Sequence, residues 1–279
     1  MSLPLTTVIP VALFHDGPFR WRTATRRVDD AGWLQFDPAD LAADLAEKAE
    51  ILERHRDDAF AVEPGSEDAS REVADLVDAA RGAVGLPPVA VNVSHPLERA
   101  ALGVHEDLIL LERRPGGWIM TAGVVCFPTR WSAADKLGRS MAQIHGPVPG
   151  YDTIAPSVDR LFDRLRSGSI VWRPNWSLVG QPDLRLPVGD RQAPAAFPAD
   201  PGTALWLRAE RQTIRRLEAH PDHILFTVRI HRWPLGQVVA QLDALAAELR
   251  ALPDDVASYK NLEAWRHELA ALVEAGRVG

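Results

Sequence analysis

Along this chain the spacing of apolar residues changes from a helical period to an alternating one and back. Leu41, Leu45 and Leu52 share one face of a helix that runs to about Arg56, with Asp37 as N-cap, Pro38 at the first helical position and Asp40 in the first turn. Ser66 opens a second helix, acidic at its start and closing near Arg81-Gly82, and His95-Pro96 opens a short one to about Leu102. Ahead of these, residues 1–36 read as irregular and strand-like, with Phe19, Trp21, Trp33 and Phe36 as an apolar cluster.

The period then drops to two. Residues 107–113 and 118–127 flank the turn Pro115-Gly116-Gly117 and predict a hairpin, which Pro128 stops. Ser132 and Asp135 form a capping-box-like pair, which predicts one helix over 133–145 ended by Gly146 and Pro147. A further helix fits 154–166, strands fit 169–178, 205–214 and 223–233, and 181–201 reads as a loop over one edge. From Val238 the helical period returns: Val238, Leu242, Leu245, Leu249 and Leu252 form one stripe, and Leu262, Trp265, Leu269 and Leu272 mark a last helix. With no internal repeat or linker, the expectation is a single domain over 1–279. It has a mostly helical portion at 1–100, a sheet core at 104–233 and C-terminal helices at 236–275. The fold class is α+β, a mostly antiparallel sheet flanked by helices.

Composition narrows the function. A net charge of -7 argues against a nucleic-acid backbone or an anionic membrane as partner, since both repel it. No window approaches the ~20 apolar residues of a membrane helix, and the first residues lack the basic start of a secretory signal, so a cytoplasmic location is expected. A single cysteine, Cys126, leaves no Cys-based zinc or iron–sulfur site within the chain. Nine Trp against two Tyr suit either a core or the wall of a flat-ligand pocket. Dinucleotide, P-loop, zincin and nucleophile-elbow motifs are absent. His220-x-x-His223 could chelate a metal, but it straddles Pro221 and reads more readily as a turn.

On a helix over 133–145, Ala134, Leu137, Gly138 and Met141 share a face with His145, and the small Gly138 would let a flat group approach. Taken alone, that pattern fits a hydrogen-bonded core histidine more readily than a metal-ligating one.

Larger blocks carry more information. They are Val104-His105-Glu106-Asp107-Leu108, Cys126-Phe127-Pro128-x-x-Trp131, Lys136-Leu137-Gly138 and Ile144-His145-x-Pro147-Val148-Pro149. Arg173-x-Asn175-Trp176, Leu207-Arg208-x-Glu210-Arg211-Gln212 and Tyr259-Lys260 follow. In type and order they resemble the α-subunit-like family of haem-dependent oxidative N-demethylase, over about residues 10–272. The resemblance implies a PAS-like haem domain enlarged by helices. It also implies haem b and O₂-dependent oxidation of a small amine's N-methyl group with release of formaldehyde. Electrons would come from separate flavin and iron–sulfur reductase subunits. Two positions depart from the family pattern: His105 stands where Gln is usual, and Ile230-His231 where an Arg/Thr-Tyr pair is usual. If they line the pocket, the substrate differs from a simple dialkylamine.

On that resemblance His145 is the expected axial ligand, with His105 in reserve. Arg173, Arg208 and Arg211 are the candidates for the haem propionates, with Trp131 and Trp176 as indole donors or ring walls. Strand alternation places Arg208, Glu210 and Gln212 on one face and Arg211 on the other. Glu210 with Arg208 is therefore the expected polar pair on the distal side, able to hold an amine or move a proton. Competing expectations are a haem-based gas or redox sensor and a haem-free scaffold subunit.

Overall fold

A computed structural model describes residues 9, 13–14, 19–21, 23–189 and 197–278. The strand-like reading of the earliest residues and part of the 181–201 loop lie outside the described residues. Seven strands form one sheet: β1 (Arg26–Val28), β2 (Phe60–Val62), β3 (Asp107–Arg114), β4 (Gly117–Val124), β5 (Ile170–Val179), β6 (Trp206–Arg216) and β7 (His223–Pro234). Their order is β1-β5-β6-β7-β3-β4-β2, with every neighbouring pair antiparallel. The α+β class holds. The portion expected to be mostly helical also supplies both edge strands, each three residues long and too short for alternation to show.

Register sorts the side chains onto two faces. Arg173 pairs Gln212, Asn175 pairs Glu210 and Ser177 pairs Arg208, while Glu210 and Gln212 pair Ile230 and Val228 of β7. The odd positions of β6 and β7 turn the other way. There Leu207, Ala209 and Trp233 pack with Leu245, Leu249 and Leu269 of the helices Leu242–Ala251 and Arg266–Glu274. Each such leucine, removed from water, contributes roughly 1.5–3 kcal/mol.

The same face carries a buried polar layer. Asp44, on the helix Leu41–Arg54, lies 2.6 Å from His105 Nδ1 and accepts from Arg229 Nη1 at 2.7 Å. Burial pushes the Asp44 carboxyl up, but these hydrogen bonds outweigh it and hold it below the usual carboxylate range.

The largest difference from the sequence reading lies at 133–145. Instead of one helix there are two of four residues, Ala133–Lys136 and Met141–Ile144. Gly138 between them has φ +72°, and Ser140 forms its own capping box with Gln143. The cause is long-range. β2 covers β4 only as far as Ala122, so the edge at Ile119 and Met120 would lack partners. The turn fills it: Gly138 N donates to Met120 O at 2.8 Å and Met120 N to Arg139 O at 3.0 Å. The first helix also starts later than expected, at Leu41, because the Asp37 carboxylate accepts from Ala39 N in a tight turn.

Candidate active site

The even-numbered face of β6 and β7 is covered by the 127–151 segment and the helix Tyr151–Arg164, which leave a cavity of about 380 Å³ between them and the sheet. That size is typical of a small-molecule or cofactor site, roughly 300–1,000 Å³. Its floor is apolar, built from Ile109, Ile214, Phe226, Val228 and Ile230. Met141, Ile144, His145 and Val148 close it from above. Toward the β5 edge the lining turns polar, with Thr129, Arg173, Asn175, Glu210 and Gln212.

His145 sits where the helix Met141–Ile144 ends, and its Nδ1 is 2.9 Å from Met141 O. A carbonyl can only accept, so Nδ1 carries the proton and the neutral ring keeps its lone pair on Nε2. That nitrogen has no hydrogen-bond partner among the described residues. The ring stacks on Tyr151 at 4.5 Å and 9°. Burial, with Arg173 and Lys136 nearby, holds the imidazole below its ordinary value despite the Met141 bond, which favours the neutral form. A neutral imidazole whose other nitrogen is fixed to a carbonyl is the arrangement a metal ligand requires.

Glu210 anchors the polar end. Its Oε1 accepts from Thr129 Oγ1 at 2.9 Å, and Oε2 accepts from Asn175 Nδ2 at 3.1 Å and Gln212 Nε2 at 2.8 Å. Arg173 Nη1 donates to Gln212 Oε1 at 3.1 Å, which fixes that amide's orientation. A continuous hydrogen-bonded rail therefore runs from Arg173, beside His145, to Glu210 and Thr129.

Arg208 shares the strand face of Glu210, yet it does not line the cavity. It is 1% exposed, and its guanidinium donates to the backbone carbonyls of Phe127, Pro128, Asp183 and Leu184. Its Nε donates to Thr129 Oγ1 at 3.0 Å, which leaves that hydroxyl's only proton for Glu210. Arg208 is thus a positioning residue, where the sequence suggested a direct pair with Glu210.

Other expected residues fall elsewhere. Arg211 points to the opposite face, as alternation requires, and donates to Trp33 O and Gly32 O, so it is not available to a group in the cavity. His105 is fully buried with both ring nitrogens engaged, Nδ1 to Asp44 and Nε2 accepting from Asp37 N. It does not reach the cavity. His231 lies in the same buried layer, with Nε2 2.8 Å from Gln35 Oε1. Of the departures from the family pattern only Ile230 lines the cavity.

Trp131 borders the cavity. Trp176 does too, but its N–H donates to Glu248 Oε1 and its ring packs edge-on to Phe14, so it is not a free donor. Most of the remaining tryptophans, such as Trp33, Trp118 and Trp233, are core residues. Gly138 does not line the cavity; a Cβ there would meet Glu63 Oε1 at 3.1 Å. His220 Nδ1 donates to Glu72 Oε2, and among the described residues no group of three His, Cys, Asp or Glu could hold a metal.

Several lining residues had no assigned role in the sequence reading. Tyr151 stacks on His145, and burial pushes its hydroxyl up to about 12. Asp107 accepts from Cys126 N and Phe127 N, both at 2.9 Å, and burial pushes its carboxyl up to about 6. The Val104–Leu108 and Cys126–Trp131 blocks are therefore tied together by one carboxylate. Lys260 stands 4.3 Å over the Trp176 ring; burial pushes its amine down to about 8.

The family model for haem-dependent oxidative N-demethylase, alpha subunit-like, matches residues 83–270, about two thirds of the chain. The chain belongs to that family. Membership points to an oxidative demethylase-like enzyme with haem dependence and, from the alpha-subunit name, to a multi-subunit oxidase. Among the described residues no helix is long and apolar enough to cross a membrane.

Proposed function

We propose that the cavity is a haem b site in a PAS-like domain, that His145 Nε2 is the axial ligand, and that the protein oxidises the N-methyl group of a small amine with O₂. The observation that carries this reading is the His145–Met141 bond, which leaves a neutral, partner-free nitrogen at the cavity. The remaining residues fit the same group. The floor of Ile109, Phe226, Val228 and Ile230 is apolar enough for a macrocycle, and Arg173 has a buried Nε without an acceptor, suited to a propionate.

Bound haem would supply one-electron and O₂ chemistry that no side chain offers. The chain's own residues do the rest. His145 would hold the iron through Nε2, and Tyr151 fixes its ring plane by stacking. Trp131 forms part of the wall. Glu210, held by Thr129, Asn175 and Gln212, binds the ammonium of an amine or holds a proton at Oε1 or Oε2. Asp107 keeps the Cys126-Phe127 backbone, and with it Thr129, in place. Electrons reach this chain from flavin and iron–sulfur reductase subunits, in a cytoplasmic complex.

The test is formaldehyde release from a panel of N-methyl amines by haem-supplied protein with an artificial electron donor and O₂. Release that depends on donor and O₂ supports the enzyme. Tight diatomic binding with no release from any amine would instead make it a sensor.

A further inference from the structure

The polar end of the cavity holds more donors than its own acceptors can use. Among the described residues Arg130 Nε and Arg173 Nε are buried without an acceptor, and Ser177 Oγ and Tyr151 Oη are buried without any partner. All four residues line the cavity. Lys260 lines it too, and of its three N–H groups one reaches Trp176 O at 2.7 Å. The acceptors on hand are already engaged: Glu210 accepts from three side chains and Asp107 from two backbone N–H groups.

Backbone geometry marks the same place. Arg130 and Asn261 are both non-glycine residues in the left-handed region, at φ +64° and +55°, and the Asn261 amide oxygen can face the Arg130 guanidinium. Such conformations persist where the surroundings enforce them, and they cluster at ligand sites. Here they hold the Thr129–Trp131 loop against the Tyr259-Lys260 turn.

A dialkylammonium ion brings only donors: the Ser177 and Tyr151 hydroxyl oxygens could accept from it, but the Arg130, Arg173 and Lys260 N–H groups stay without acceptors. A carboxylate brings acceptors and neutralises the excess of cations over Glu210. We propose that Arg130 and Lys260 form a carboxylate-binding site at the polar end of the cavity. The carboxylate belongs either to the cofactor, as a propionate, or to the substrate, as an N-methyl amino acid. The site itself stands on geometry, and only the identity of its occupant rests on the haem reading.

The test uses the full chain as wild type, Arg130→Gln, Lys260→Met and Lys260→Arg. Tryptophan quenching follows protoporphyrin IX against its dimethyl ester, and calorimetry follows N-methylglycine against dimethylamine. If the propionate occupies the site, wild type prefers the porphyrin diacid over the diester by roughly tenfold or more, the scale of one charge-assisted hydrogen bond. Both neutral variants weaken that preference, Arg173 still serving the other propionate, and Lys260→Arg keeps it in full. If the substrate occupies the site, N-methylglycine binds and dimethylamine does not, with the same pattern across variants. Absence of acid preference in both pairs, or a preference undiminished in both neutral variants, overturns the proposal. Failure of the haem reading looks different: neither porphyrin binds while N-methylglycine is still discriminated.

Discussion

The Nδ1 of His145 donates to the carbonyl oxygen of Met141, 2.9 Å away and four residues back. This bond fixes the tautomer, while burial and the cations around the ring set its protonation state. In the haem-free protein the His145 ring, followed by NMR, should titrate with a midpoint below the ordinary ~6.5 of histidine. The sign for stability follows: the unfolded ring binds a proton at higher pH than the folded one, so acidification through ~6.5 favours unfolding. A midpoint at or above ~6.5 would contradict the neutral, ligation-ready ring.

Glu210 touches the cavity and Arg208 does not, so their substitutions should separate. Glu210→Gln keeps the shape of the side chain but sets an amide among the donors of Thr129, Asn175 and Gln212. Turnover should fall by about a hundredfold or more, the scale of a lost acid–base or charge-binding group, while the Soret band changes little. Unchanged formaldehyde release in Glu210→Gln would remove Glu210 from the reaction.

Arg208→Lys should instead cost stability. A single ammonium cannot serve four backbone carbonyls and Thr129, and buried acceptors left without donors cost about 1–3 kcal/mol each, though not additively. Urea unfolding should show a loss of roughly 2–4 kcal/mol, with the Soret maximum unmoved in the folded fraction. A normal urea midpoint with a shifted Soret band would return Arg208 to the cavity.

Gly138→Ala tests the turn that replaced the expected helix. At φ +72° the new Cβ is strained and also meets Glu63 Oε1, so a loss of about 1–2 kcal/mol is expected in urea unfolding. A stabilising effect, as alanine gives within a helix, would restore the continuous helix over 133–145.

These contrasts show what the chain makes legible. β5, β6 and β7 were readable because their alternation is long and their ends are marked by turn residues. The same alternation separated Glu210 from Arg211 correctly. It could not say that Arg208, on the face of Glu210, is capped by the carbonyls of 127–128 and 183–184, because those partners lie far away in sequence. The 133–145 stripe misled for a similar reason: its local period is helical, but the open edge of β4 recruits Gly138 and Arg139. The Ser140–Gln143 box was a visible signal of that restart. Placing His145 at the site depended on the Ile144–Pro149 block and not on periodicity, since the helix that was to present it is a single turn.

The most direct test of the account is the ultraviolet–visible spectrum of haem-supplied protein as wild type, His145→Ala and His105→Gln. With His145 as the ligand, the wild type shows a Soret band that is lost or clearly shifted in His145→Ala and unchanged in folded His105→Gln. A band that persists unaltered in His145→Ala, or no band in the wild type, would contradict it.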